Sequence, residues 1–280
     1  MKLQALLTVA LLSVGAGAQE VNSSNAVSNK LDSDISVMDG QTIVANVNNR
    51  DDGQQVTRSF RIALTDRRGV TRIEETKGFR KYYDDQKKTV IFYTDPTNVR
   101  GTAFLTFDYF DEAKEDDQWL YLPALRRVRR ISASDRGDYF LGTDLTYEEI
   151  KKEGKYDLSE YNTEFLGSVE EEGRTLLKVK LTPKTDTLQA ELGYSRLITY
   201  IDPDIWISRK IEYWDTNGNS LKTINNTHIK QINGYWTVTE IAVKNHKTKH
   251  STKMTFFNID YKTAIRDNMF TQQQLRRGLQ

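Results

Sequence analysis

Short runs of alternating apolar and polar residues, broken by glycine and Asp/Asn turns, fill the chain from Gly53 almost to its end. In the first, Phe60, Ile62 and Leu64 alternate with Arg61 and Ala63 before the turn signal Asp66-Arg67-Arg68-Gly69. Runs of the same kind recur at residues 71–80, 88–93, 102–109, 118–122, 126–132, 163–169, 175–181, 196–201, 206–214, 220–230, 235–244 and 253–261. A period of two is the signature of a strand, and Glu172-Gly173, Asn217-Gly218-Asn219 and Asn233-Gly234 between runs are hairpin turns. About a dozen strands in this order predict one long antiparallel meander, a curled sheet or barrel.

Helical interruptions are few. Ile43, Val44 and Val47 have helical spacing over residues 40–49, and two further helices are expected at residues 145–153 and 271–277. Thr143 or Asp144 is the expected cap of the second. No Pro/Gly/Ser-rich linker interrupts the run of strands, so residues 40–280 read as one domain, mainly β with few helices in an α+β arrangement. Ahead of it, residues 19–39 are rich in Asn, Ser and Asp and lack apolar periodicity, the composition of a flexible leader. Residues 1–18 have the form of a signal peptide: Lys2, an apolar run at residues 3–14, then the small residues Ala16-Gly17-Ala18. That run is too short to span a bilayer, so an exported chain starting at Gln19 is expected, placed in the periplasm.

Several strands are apolar on both faces. Ala103, Leu105, Phe107 and Tyr109 form one row with Phe104 opposite; Phe257, Ile259 and Tyr261 oppose Met254 and Phe256. A sheet with one wet face alternates more cleanly, so both faces are expected to be covered in places. With 14 Tyr, 11 Phe and 4 Trp available, a curved sheet has the material to enclose an apolar cavity. An ordinary filled core, the usual state of a protein interior, accounts for the same pattern.

The densest stretch is Trp119-Leu120-Tyr121-Leu122-Pro123-Ala124-Leu125-Arg126-Arg127-Val128-Arg129-Arg130-Ile131. An apolar strand meets Pro123, turns, and returns carrying four arginines in five positions. Ser134-Asp135-Arg136-Gly137-Asp138 and Gly142-Thr143-Asp144-Leu145-Thr146-Tyr147-Glu148-Glu149 follow. These motifs resemble the signature of the bacterial outer-membrane lipoprotein-sorting proteins, relatives in fold of the periplasmic carrier LolA. The opening around Arg50-Asp51-Asp52-Gly53 and the ending Asn268-Met269-Phe270-Thr271 resemble that family as well. The resemblance implies an incomplete antiparallel β-barrel of about eleven strands wrapped around short lid helices. It also implies a carrier that shelters a lipid or lipoprotein acyl chain, serving outer-membrane sorting or an exporter of the resistance–nodulation–division (RND) class. A non-catalytic subunit that docks on such a transporter without cargo is the alternative. Trp119, Tyr121, Arg126, Arg127, Arg129, Arg130, Trp206 and Trp214 are the residues expected to contact ligand or partner. Guanidinium forks match phosphate oxygens, though a cross-strand ion network with nearby acids, Asp111 to Asp117 among them, accounts equally for the arginines.

Other chemistries find little support. The absence of cysteine removes disulfides, thiol catalysis and cysteine-ligated metals. Loss of Lys2 leaves 39 basic against 39 acidic residues, a poor balance for a nucleic-acid binder. His246 and His250 sit among lysines and read as solvated surface residues. No nucleophile elbow, phosphate loop or zinc-protease motif is present, so no enzyme activity, metal or cofactor is expected, and the protein is expected to be a monomer.

Overall fold

The computed structural model describes residues 38–279. The signal peptide and all but the last two residues of the leader lie outside the described residues. The first helix, α1 (Gly40–Asn49), turns Ile43, Val44 and Val47 inward, as their spacing predicts. Thirteen strands follow, each on one of the alternating runs. They are β1 (Gln55–Thr65), β2 (Thr71–Tyr82), β3 (Gln86–Asp95), β4 (Ala103–Tyr109), β5 (Asp117–Leu122), β6 (Arg127–Ile131), β7 (Tyr161–Glu171), β8 (Arg174–Pro183), β9 (Arg196–Asp202), β10 (Ile207–Trp214), β11 (Ser220–Ile232), β12 (Tyr235–Asn245) and β13 (Ser251–Asp260). Three more short helices are α2 (Tyr147–Lys152), α3 (Asp186–Leu192) and α4 (Gln272–Arg277).

All thirteen strands form one antiparallel sheet in the order β6-β5-β4-β3-β2-β1-β13-β12-β11-β10-β9-β8-β7. The sheet is thus two meanders, β1–β6 and β7–β13, fused where β1 pairs with β13 from Thr57↔Asp260 to Thr65↔Ser251. It does not close: β6 and β7 are free edges. Residues 132–160, linking those two edges, carry α2 and lie over the concave face. This is the open barrel with a helical lid, built from thirteen strands rather than about eleven.

Register divides the side chains between two cores. On the concave face Ile62, Leu64, Ile91 and Phe104 are buried, and Phe140 and Tyr147 of the crossing segment stack on Phe104 at 5.2 and 5.5 Å. On the convex face Phe79, Val90, Phe92, Ala103 and Leu105 form a second core, closed by Ile265, Phe270 and Leu275 of the C-terminal tail. The two-sided apolar pattern of β3 and β4 therefore reflects two covers, one on each face.

Local capping differs from expectation in one place. The cap of α2 is Thr146, which exchanges hydrogen bonds with Glu149 in a full capping box. Thr143 instead donates to the Leu145 carbonyl, and Asp144 is engaged with His250 and Thr252. The short helix α3 has no apolar stripe to announce it, since only Leu192 is buried; Thr185 caps it. Gly137 packs so closely on the end of α3 that a Cβ there would lie 2.1 Å from the Glu191 carbonyl oxygen, so only glycine fits.

Leu275 is fully buried and anchors α4 to the convex core. Leu275→Ala should lower unfolding free energy by about 2–5 kcal/mol in urea titrations. A loss under 1 kcal/mol would mean that the tail contributes little to the fold.

Candidate functional site

Between the concave face and the crossing segment lies a cavity of about 180 Å³. That is slightly more than the ~150 Å³ engineered apolar cavity that stays dry and takes up benzene. Its floor alternates inward from neighbouring strands: Phe60 of β1, Ile211 of β10, Ile224 of β11, Ile241 of β12, and Met254 and Phe256 of β13. Phe60 and Phe256 face each other across the β1–β13 seam, ring centroids 5.1 Å apart. The ceiling brings Leu145, Ile150 and Tyr156 from the crossing segment. Tyr161, Tyr194 and Tyr213 line one side, with the Tyr161 and Tyr194 hydroxyls hydrogen-bonded at 2.6 Å. Burial pushes the Tyr194 and Tyr213 phenols well above their ordinary pKa, so this wall is neutral.

The sheet itself opens at the cavity. β12 and β13 leave their turn paired from Lys244↔Ser251 to Glu240↔Thr255, and there the ladder stops. Beyond it, β12 pairs only with β11, and β13 only with β1. The resulting V between Tyr235–Thr239 and Phe256–Asp260 is bridged by side chains in place of backbone bonds. Tyr235 and Tyr261 stack at 4.8 Å, and Thr237 Oγ1 lies 2.9 Å from the Tyr261 hydroxyl. Gly53, at φ +80°, passes over this pair, where a Cβ would sit 2.6 Å from the Tyr261 ring. Trp236, half-exposed, and Arg50 complete the rim, the guanidinium donating to the Trp236 carbonyl at 3.2 Å.

The lid is fastened by charge. Glu153 pairs with Arg58 at 2.5 Å and with Arg80 at 3.7 Å; Lys155 reaches Asp52 at 3.3 Å. Lys152 meets Asp108 at 2.8 Å, and Lys151 bridges Glu148 and Asp116. From the sheet, Lys87 is buried against Asp108 at 3.0 Å and donates to the Lys151 carbonyl. Lys222 is buried against Glu149 at 2.7 Å and donates to the Asp144 carbonyl. Burial opposes the charge on Asp52, but Arg80, followed by Lys155, Arg50 and Lys87, outweighs it and brings the pKa down to about 2. Asp108, likewise penalised by burial, is held well below the usual carboxylate range by Lys87, Lys152 and Lys151. Ion pairs thus fasten the lid on both sides of an apolar floor.

None of the eight residues expected to make contacts lines this cavity. Trp119 and Tyr121 point to the convex core, Trp119 edge-on to Phe107 at 5.0 Å. Val128 and Arg130 share that face; Arg130 pairs with Asp117 and Arg129 with Asp135, a local ion network on the exposed edge strand. Arg126 stands outside β6 at the hairpin tip, at φ 49°, and Arg127 is exposed beside it. Trp206 lies in the turn before β10, and Trp214, at the strand's far end, stacks under Arg196 at 4.6 Å. His246 and His250 are half-buried and partnered rather than solvated: His250 Nδ1 is 2.6 Å from Asp144 Oδ2, and His246 contacts Thr223 at 2.8 Å. Among the described residues no cluster of His, Asp and Glu is arranged to hold a metal ion.

A family model described only as that of an uncharacterized protein matches residues 85–277. A crystal structure of a domain named for outer membrane lipoprotein sorting, from Vibrio parahaemolyticus, is 26% identical. It superposes with a TM-score of 0.77 over 85% of this chain and 98% of that one. A DUF1329 family protein from Desulfovibrio piger gives 25% identity and a TM-score of 0.77 over 84% of this chain and 97% of its own. At 16% identity, a LolA superfamily protein from Nitrosomonas europaea shares the fold, with a TM-score of 0.63 over 85% and 99% of the two chains. No curated protein matches.

Two outcomes test the ionic lid. Asp108→Asn strands the buried Lys87 ammonium and should cost about 3–5 kcal/mol of unfolding free energy; a loss under 1 kcal/mol would show the pairs to be incidental. Because the folded-state pKa of Asp52 is depressed from 3.8 to about 2, its contribution is complete above about pH 4 and disappears as pH falls towards 2. The unfolding free energy of the wild type in urea titrations should fall through that window by an extra ~2 kcal/mol compared with Asp52→Asn; parallel curves would contradict the assignment.

Proposed function

Because the chain belongs to the outer membrane lipoprotein-sorting protein family, with its LolA-like open barrel, we propose that it carries a lipid or lipoprotein acyl chain on the apolar floor beneath its lid. The observation behind this reading is the contrast between floor and fastening: Phe60, Ile224, Ile241, Met254 and Phe256 form a hydrocarbon surface, while the lid over them is held by ion pairs. Each methylene kept from water on that floor is worth about 0.8 kcal/mol. The 180 Å³ space takes only a short apolar segment, so a longer chain requires the lid to lift. Lifting a lid held by charges returns those charges to water, whose solvation offsets much of the lost pairing. Lifting one sealed by hydrocarbon would expose bare apolar surface with no such offset. The V between β12 and β13, bridged by the side chains of Asn233, Tyr235, Thr237 and Tyr261, supplies the entrance.

The setting we propose is the periplasm, reached through the signal peptide read at residues 1–18. There the chain acts as a monomer whose carrier domain spans residues 40–280 and which delivers cargo toward the outer membrane or an RND-type exporter. No helix among the described residues is long and apolar enough to cross a membrane. No catalytic step is proposed.

A fluorescent fatty-acid probe should bind the wild type saturably. Ile241→Trp, which fills the floor, should weaken binding by about tenfold, the equivalent of losing burial of two methylenes, with the thermal midpoint retained. Absence of saturable binding would overturn the carrier reading in favour of a subunit that docks on a transporter without cargo.

A further inference from the structure

Strand pairing brings four hairpin tips to one rim of the sheet. The β1–β2 and β12–β13 tips adjoin because Thr65 pairs with both Thr71 and Ser251. The β3–β4 tip lies next, through Glu75↔Asp95, and a Cβ on its Gly101 would sit 3.2 Å from Pro123 of the β5–β6 tip. These connecting segments carry Arg67, Arg68, Arg100, Arg126, Lys247 and Lys249 against Asp66, with Asp95 at the end of β3 and Asp215 of the adjoining β10–β11 turn as further acids at the rim. At the other ends of β2, β3, β4 and β5 the balance reverses. The β2–β3 and β4–β5 loops carry Asp84, Asp85, Asp111, Glu112, Glu115 and Asp116 against Lys114 alone. In a chain with almost no net charge, this is a strong separation of sign along the strand axis.

The basic rim is largely unneutralised. Arg68 pairs with Asp66 and Arg100 with Asp95, but Arg67, Arg126, Arg127 and Lys249 form no ion pair among the described residues. Three large aliphatic side chains stand out between them: Val70 is 61% exposed, Ile73 52% and Leu125 63%. Val70 and Ile73 share the β1–β2 hairpin and Leu125 stands apart on the β5–β6 tip, too few and too scattered for the contiguous patch that a protein groove would require. Isolated aliphatic side chains among arginines match instead a surface with anionic phosphates outside and hydrocarbon just beneath.

We propose that this hairpin rim docks on an anionic lipid bilayer, with Arg67, Arg126, Arg127 and Lys249 on headgroup phosphates and Val70, Ile73 and Leu125 in the interface. The cavity rim, formed by Asp52, Trp236 and Tyr261, lies at the opposite ends of β1, β12 and β13. A docked molecule therefore holds its mouth away from that bilayer, free to meet a partner. The assignment does not depend on the cavity having cargo.

The test is co-sedimentation of the mature chain, from Gln19, with vesicles of phosphatidylcholine alone or in equal parts with phosphatidylglycerol. Binding is expected only to the mixed vesicles, and to weaken with added salt. Each basic side chain near such a surface multiplies partitioning by about fivefold, so the triple variant Arg67→Glu, Arg126→Glu, Arg127→Glu should lose at least about a hundredfold. Since these side chains are exposed, the variant should melt with the wild type, and Asp84→Lys with Asp85→Lys at the acidic end should not weaken binding. The double variant Val70→Ser, Leu125→Ser should bind several-fold more weakly. No binding to mixed vesicles, equal binding to both kinds, or full binding by the triple variant would overturn the proposal. An acidic protein retained by this rim in place of vesicle binding would overturn it too.

Discussion

The pairing of β1 with β13 is the interaction on which the rest of the molecule depends. Each meander alone is a run of local hairpins; their fusion along Thr57–Thr65 and Ser251–Asp260 turns them into one trough. It also places the Phe60 and Phe256 rings in contact at the centre of the floor. With β6 and β7 at opposite edges of the sheet, the segment joining them runs from one edge to the other, and it does so over the concave face, where it forms the lid.

What crosses the trough decides what the trough can hold. A lid that buried only hydrocarbon would complete an ordinary core. Here the lid meets the sheet through ion pairs at Arg58, Arg80, Lys87, Asp108 and Lys222 as well as through Phe140 and Tyr147 on Phe104, and the floor of β1 and β10–β13 lies beneath it. Buried ion pairs contribute little net stability compared with well-packed apolar groups of the same volume, yet they demand fixed geometry. They set the lid's position without sealing the hydrocarbon beneath it. The end of the β12–β13 ladder at Glu240 and Thr255 leaves a seam at the same place.

The architecture was largely legible in the sequence, because a period of two is a local property. Every alternating run is a strand, and α1 spans Gly40–Asn49 as its apolar spacing predicts. The site was not legible, for two physical reasons. Alternation separates Met254 and Phe256 from Phe257 and Ile259 without saying which pair faces inward, and β3 and β4 are apolar on both faces because each face has its own cover. The lid's pairs join residues far apart in the chain, such as Lys222 with Glu149 and Lys87 with Asp108, and nothing local marks them. The dense stretch Trp119–Ile131 forms an exposed edge hairpin away from the cavity, where its arginines pair locally or face solvent. Asp144 shows the same limit: local sequence offers it, with Thr143, as a helix cap, but its carboxylate is taken by His250 and Thr252 from the far end of the chain.

The proposed carrier role stands or falls on a hydrocarbon guest in the trough. Native mass spectrometry of the protein gently purified from cells that express it addresses this without any chosen probe. A carrier gives a population heavier than the bare chain by the mass of an acyl lipid, released as that lipid on collisional activation. A single species at the bare-chain mass, unchanged after incubation with phospholipid or fatty acid, would contradict it.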